Sequence, residues 1–584
     1  MTAEAAGFIP GVRIQHDVEC ELRDGTVLRA DVYRPVDQQE ELPVLLLRIP
    51  YNKAVAQSIV YHHPSWYARQ GYIVAVQDTR GRFASAGDFD PLRTEAEDGY
   101  DSVEWAVALP GSSGKVGMYG FSYSGATQLL AATQRPPALA CCAPGFTSSD
   151  YYADWTYEGG ALNLAFIVSW TMQLLAIPDA LRRGRPDVAE LLVHRVGDIP
   201  ALYSERPLGQ FSPLHETGVA PFFFDWLAHD TRDDYWQQLS LEHRYDSIDV
   251  PCLHFGGWFD VFATGTVRNF TELATASDQR NDPGHHQLIM GPWLHIPWGP
   301  HVGSANFGPE AKNRLNEAQL HWFDRWLKGN APQEADSPVQ LFVMGTDRWR
   351  TADAWPPRDC HEQSWFLHSD GRANSLSSTG SLTQEAPAEE LPDVFVYDPG
   401  NPAPSAGGRS CCDPTVTPMG VACQKAVEVR NDVLLYTTDP LPEPMEVTGD
   451  IRFVLHAATS AVDTDWVVRL TDVDETGKSV NVCQGILRAR FHTGLADPHN
   501  LTPGECREYT IPLGPTSWEF RAGHRLRVQV TSSDFPSHDI NTNTGKPVGE
   551  VKPLDGIVAT QVVHHDARRP SRLILPVASG CSDN

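Results

Sequence analysis

The chain has 584 residues, 41% hydrophobic and 10% aromatic, a globular composition too long for one core, so about three domains are expected. Its formal net charge of −28 leaves no basic stripe for a phosphate backbone and excludes nucleic acid as a partner. No apolar run approaches the ~20 residues of a membrane span, and Met1–Ala6 lacks the basic head of a secretory signal. Eleven cysteines without a CxxC framework read as reduced thiols in a cytoplasm.

In chain order, alternating residues through Glu19–Leu22 and Val27–Val32 flank Asp24-Gly25, the signature of a β-hairpin. Val44–Leu47, Tyr72–Val76 and Val116–Tyr119 read as buried strands with helical stretches between them. The third of these runs into Gly120-Phe121-Ser122-Tyr123-Ser124-Gly125, then into the helix-forming run Ala126–Ala132, which Pro136-Pro137 must stop. A serine between glycines on a strand-to-helix turn is the context of a nucleophile elbow. The following helix brings its free N–H groups and the positive end of its dipole to the serine oxygen.

From residue 148 to 245 the character changes. Ala161–Trp170 and Val188–Leu192 look helical and carry large apolar side chains, so this block is expected to cap the site. Residues 246–355 return to the pattern of residues 1–147, and the two together are read as one α/β domain. Beyond residue 356, alternating runs such as Ile451–Leu455 and Leu526–Val530, separated by Pro/Gly/Ser-rich connections, are the grammar of a β-sandwich.

A serine hydroxyl needs a base, and the base needs an orienting carboxylate. In α/β-hydrolases these follow in the order Ser, Asp or Glu, His, each after a core strand. Two short apolar runs meet that requirement: Pro251–Phe255 breaks at Gly256-Gly257 before Asp260, and Gln287–Met290 breaks at Gly291-Pro292 before His295. The carboxyl ends of parallel strands are where such a sheet presents its site. Asp225 is the rival acid but stands in a helical stretch.

These residues resemble the cocaine esterase-like (CocE/NonD) hydrolases, relatives of the α-amino-acid ester hydrolases and X-prolyl dipeptidyl peptidases. The matching pieces are Arg48-Ile49-Pro50-Tyr51, Asp78-Thr79-Arg80-Gly81-Arg82 with Ser85 and Gly87, Gly120–Gly125, Gly257–Asp260 and Gly291–His295. Phe342–Gly345, Asp463–Asp465 and Ser532–Pro536 continue the match toward the C-terminus. The resemblance implies an α/β-hydrolase domain with an inserted helical cap and a C-terminal jelly-roll β-sandwich. It implies Ser122 as nucleophile, His295 as base and Asp260 as its orienter. The oxyanion hole it implies is the backbone N–H of Tyr123 and the hydroxyl of Tyr51, a phenol able to donate without carrying charge.

The same resemblance places cap tryptophans, here Trp155 and Trp170, along an acyl pocket. Phe259 and Phe262 flank Asp260 and are further lining candidates. Where the family's esterases close the pocket with a large aliphatic and an aromatic side chain, this chain has Cys411-Cys412, which implies a differently shaped pocket. The expected activity is hydrolysis of a small-molecule carboxylic ester. Amide cleavage is the alternative, weakened because Ser124 stands where α-amino-acid ester hydrolases often carry an acid. A binding protein built on an inactive hydrolase is a third reading, disfavoured by the complete set of catalytic groups.

No cofactor and no metal are expected. The pairs His62-His63, His285-His286 and His564-His565 lack helical ligand spacing, and His361-Glu362 lacks the second histidine of H-E-x-x-H. Asp78, Arg80 and Arg82 are read as a structural ion-pair group. Subunit number is left open, with a homodimer among the options.

Overall fold

A computed structural model gives the fold and describes residues 6–55, 60–280, 286–330, 337–374, 376–412, 415 and 419–579. The expected hairpin forms between β2 (Val12–Glu21) and β3 (Val27–Pro35), with β1 (Ala6–Ile9) antiparallel to β2. Gly25 turns the chain at φ 82°, a conformation that costs a side-chain-bearing residue more.

β4 (Leu42–Ile49), β5 (Ile73–Asp78), β6 (Ser112–Phe121) and β7 (Leu139–Gly145) continue the sheet, joined by the strands Leu253–Phe259, Gln287–Leu294 and Val339–Val343. From β5 across to Val339–Val343 the neighbours pair in parallel, and Arg348–Ala352 closes the edge antiparallel. The spatial order is β1-β2-β3-β5-β4-β6-β7, followed by these last four strands in chain order.

Alternation on β4 shows why the strand is apolar throughout. Val44 and Leu46 enter one core with the helices Glu95–Val107 and Tyr123–Ala132 and with the cap. Leu45, Leu47 and Ile49 enter the core on the other face, with Trp322, Phe323 and Leu327 of the helix Leu315–Lys328. A parallel sheet buried on both faces requires this continuous run.

Between β7 and Leu253 stand short helices, among them Leu164–Ser169, Ile177–Arg182, Pro186–Val196 and Phe222–Ala228, whose apolar residues join the first core. Ala161–Leu162, read in sequence as the start of a helix, is instead a short strand paired with Tyr157–Glu158. One segment, Leu164–Arg182, is apolar and long enough at 19 residues to cross a membrane, which corrects the sequence expectation; 72% of its apolar window is buried inside the protein. Its apolarity is that of a helix packed on several sides.

From Cys360 to Ala578 the chain forms a twelve-stranded sheet, the jelly-roll. Its longest pair, Met445–Thr459 with Arg507–Phe520, runs antiparallel with a register shift at Ile451/Arg452. Phe453, Leu455, Trp466 and Val528 share a core with Trp258, Phe259 and Phe342, so the jelly-roll packs directly on the end of the hydrolase sheet.

Candidate active site

β4, β6 and the strands Leu253–Phe259 and Gln287–Leu294 present Tyr51, Ser122, Asp260 and His295 just beyond their carboxyl ends. Ser122 adopts φ 60°, ψ −127° between β6 and the helix Tyr123–Ala132. Positive φ at a residue with a β-carbon is strained, and such strain persists only where the surroundings enforce it. The surroundings are tight: a β-carbon on Gly120 would lie 2.6 Å from that of Ser124, and one on Gly125 would lie 2.8 Å from the Gly145 carbonyl oxygen. The Ser122 N–H donates to that same Gly145 oxygen at 2.9 Å.

His295 donates from Nδ1 to Asp260 Oδ1 at 2.7 Å, with both residues buried. A carboxylate accepts only, so the ring proton sits on Nδ1 and the lone pair on Nε2. Phe121, Phe146 and Phe262 pack around the imidazole, with ring centroids 5.6, 6.3 and 5.3 Å away. The Trp298 indole donates to the His295 carbonyl at 2.9 Å and fixes the loop behind it. Asp260 Oδ2 is buried with no hydrogen-bond partner among the described residues, leaving the imidazole as its partner for charge.

Burial pushes the Tyr51 phenol up to about 12, against hydrogen bonds with Trp170 and Ser122 that pull it down, so the hydroxyl keeps its proton at neutral pH. Arg82 clamps the loop that carries it. Its guanidinium donates to Pro50 O at 2.8 Å and to the cap carbonyls of Leu174 and Leu175 at 2.9 and 3.1 Å. Desolvation lowers Arg82 to about 10, still protonated at neutral pH. Asp78 accepts from the N–H of Lys53 at 2.6 Å, and Arg80 pairs with Asp98 at 2.6 Å, so this motif is the structural support the sequence suggested.

The Tyr123 N–H stands at the first helical position, where helix geometry provides no acceptor. Its side chain points the other way. The hydroxyl donates to Glu95 at 2.8 Å and accepts from Leu92 N at 2.9 Å, while Glu95 pairs with buried Arg48 at 2.7 Å.

The structure brings Trp155, Trp170 and Phe262 together. Trp155 stacks on Phe262 at 4.3 Å and meets Trp170 edge-on at 5.3 Å. Trp226, not singled out from sequence, stacks on Trp170 at 5.8 Å; its one signal was a tryptophan within an aromatic helix. The Trp155 indole N–H is buried without a partner among the described residues. Phe259 lies apart from this group, in the core shared with the jelly-roll, because it precedes the bend that turns Phe262 inward.

Cys411 and Cys412 are joined to each other in a vicinal disulfide, which corrects the reading of every thiol as reduced; eight other described cysteines are free. Both pack on the cluster that holds Trp155 and Phe262, and the preceding Ser410 bridges to Asp260. Sequence adjacency of the pair was visible, whereas the bond itself is seen only in the structure, where Cys412 has φ 81°.

A strained serine elbow, a carboxylate-oriented imidazole and a half-buried phenol are the parts of acyl transfer. The profile of the X-Pro dipeptidyl-peptidase (S15) family matches residues 24–297, and that of the X-Pro dipeptidyl-peptidase C-terminal non-catalytic domain matches residues 330–574. The chain is 34% identical to a cocaine esterase of Rhodococcus sp. (strain MB1 Bresler), over 97% of this chain and 98% of that one. An α-amino acid ester hydrolase structure superposes with a TM-score of 0.82 at 26% identity, covering 99% of both chains. The aminopeptidase of a marine sediment Thaumarchaeota archaeon superposes at 0.81 and 25% identity, covering 98% of both.

Proposed function

The chain belongs to the X-Pro dipeptidyl-peptidase (S15) family, in the company of cocaine esterase-like enzymes, and is a serine hydrolase of esters; from that premise we propose that Ser122, His295 and Asp260 perform its chemistry. Ser122 Oγ attacks the ester carbonyl carbon and gives its proton to His295 Nε2. Asp260 holds the ring in that tautomer and stabilises the imidazolium. The Tyr123 N–H and the Tyr51 hydroxyl hold the oxyanion. The departing alkoxide takes the proton from His295, and a water deprotonated by the same nitrogen then releases the acid from Ser122.

The observation that carries this reading is the 2.7 Å bond from His295 to Asp260 beside the strained serine turn. Trp155, Trp170 and Phe262, with the Cys411–Cys412 ring, are proposed to receive the acyl group, a flat apolar enclosure suited to aryl or compact alkyl acids. The free thiols support a reducing compartment such as the cytoplasm.

Amide cleavage is the second reading, favoured by the aminopeptidase likeness. An aminopeptidase needs a carboxylate for the substrate ammonium. Glu95 is taken by Arg48 and Tyr123, and Asp154 by Ser149 and Arg268, which supports the ester. A chain-length series of p-nitrophenyl esters with wild type and Ser122→Ala tests the proposal. Activity lost in the variant supports it, and equal rates in both would overturn it.

A further inference from the structure

At the end of the sheet remote from Ser122, sulfur and imidazole groups from different strands converge. Cys252 precedes the strand Leu253–Phe259 and His254 lies two residues on, so their side chains share a face. His286 precedes the neighbouring strand Gln287–Leu294. One ligand atom from each of the three lies within 4.8 Å of the others. Cys142 on β7 is the backbone bridge partner of Cys252, so the two side chains share a face; the Cys252 thiol donates to Val250 O at 3.5 Å. Cys142, Cys252 and His254 are 0% exposed and His286 is 5% exposed.

His254 is the observation that asks for a ligand. Both of its ring nitrogens are buried with no hydrogen-bond partner among the described residues, an unusual state for a group that is one donor and one acceptor. Its ring neighbours are His286 and Phe270, and neither is a carboxylate. His286 Nδ1 accepts from the Cys252 N–H over a long 3.3 Å and Nε2–H donates to Ser277 Oγ at 2.9 Å, so an ion at Nδ1 would take the lone pair now given to that N–H. A ligating histidine is usually held by such a bond from its other nitrogen. Arg280 donates to the same Ser277 oxygen at 3.2 Å, outside the cluster.

We propose that Cys252, His254 and His286, with Cys142 as fourth ligand, form a structural zinc site. Tetrahedral zinc with Zn–N about 2.0–2.1 Å and Zn–S about 2.3 Å sets its ligand atoms roughly 3.3–3.8 Å apart, so the Cys252, His254 and His286 atoms, now within 4.8 Å of one another, would close in on the ion and Cys142 would turn toward it. Two thiolates and two neutral imidazoles cancel the charge of Zn²⁺, as a fully buried site demands. The ion would tie β7 and the strands carrying Asp260 and His295 together at their amino ends. His254 lies six residues before Asp260, about 20 Å along the strand, so the site takes no part in the chemistry.

Local sequence spacing does not reveal this site, since its members come from three strands. The test is zinc content of the full-length protein purified without chelator or affinity metal, followed by chelator stripping and titration with Co²⁺. The expected result is one zinc per chain and, after stripping, a thiolate-to-cobalt absorption band that saturates at one equivalent. Cys252→Ser, which leaves Cys142 as the one thiolate, should at least halve that band, and His254→Phe, which keeps the burial, should cut metal retention at least tenfold. If the variants do not fold, the wild type alone decides. Less than a tenth of an equivalent of zinc, together with no thiolate band and no zinc-dependent rise in Tm after stripping, overturns the proposal. So does undiminished stoichiometric uptake by a folded His254→Phe protein.

Discussion

The indole Nε1–H of Trp170 donates to the Tyr51 hydroxyl at 2.9 Å, so a cap helix and the loop after β4 share one hydrogen bond beside the serine elbow. The phenol oxygen accepts from the indole, which leaves its own proton available to donate, in the proposed mechanism to the oxyanion. Tyr51→Phe should lower kcat about 10²–10³-fold with little change in KM. Trp170→Phe keeps the ring and removes the donor, so a smaller loss is expected. Steady-state kinetics on one ester decide both, and a kcat unchanged by Tyr51→Phe removes the phenol from the oxyanion hole.

Asp260 holds the imidazole tautomer, and Asp260→Asn presents an amide that can donate where the carboxylate only accepted. The expected loss is about 10³–10⁴-fold in kcat without loss of folding. Circular dichroism and turnover measured on one preparation separate the two effects. A loss under tenfold assigns the orienting role elsewhere.

The Arg48–Glu95 pair is buried at both ends, and Glu95 also receives the hydroxyl of Tyr123. Arg48→Met removes one charge and strands the other. Unfolding by urea should show a stability loss of about 3–5 kcal/mol, the cost of an uncompensated buried charge. The elbow should suffer with it, because Tyr123 is anchored to that carboxylate.

His538 sits in the jelly-roll between Asp534 at 3.5 Å and Glu158 of the cap hairpin at 3.4 Å. Desolvation opposes its charge, but the two carboxylates prevail and raise it from 6.5 to about 10. The folded protein therefore holds a proton that the unfolded chain releases near pH 6.5. This contribution to stability is fully present below pH 6.5 and is lost as pH rises through about 10. Denaturant titrations of wild type and His538→Gln should differ most near pH 6 and converge by about pH 10. A difference constant across that range would show that the histidine is not charged.

The Cys411–Cys412 ring lies against the Trp155–Phe262 group, next to a residue bridged to Asp260. A dithiol reductant, itself oxidised to its disulfide, opens that ring to two thiols and frees the segment to rearrange. The expected effect is a change of at least threefold in the ratio of kcat/KM for acetyl and benzoyl esters, absent in a Cys411→Ala/Cys412→Ala protein. An unchanged ratio on full reduction, verified by thiol titration, removes the ring from the acyl pocket.

Much of the site was legible in the chain because local rules write it. Gly120 and Gly125 flank Ser122 since a β-carbon at either would strike its neighbours, and Asp260 and His295 follow apolar runs that end in glycine. Trp226, the carbonyl partners of Arg82 and the place of Phe259 were not legible, since each depends on which distant segment packs against it. The apolar segment Leu164–Arg182 was understated for the same reason, as its burial comes from the elements around it.

By itself the sequence determined much of the order of strands and helices, the elbow and the strand-end places of Ser122, Asp260 and His295, because strand period, turn residues and glycine clearance act within a few positions of the chain. Only the tertiary structure decided which face each ring occupies, that Cys411 and Cys412 join, and that Cys252, His254 and His286 meet. Those outcomes depend on parallel strands brought side by side by crossovers of many residues. Register between such strands is set by the packing of both sheet faces, which no local pattern records.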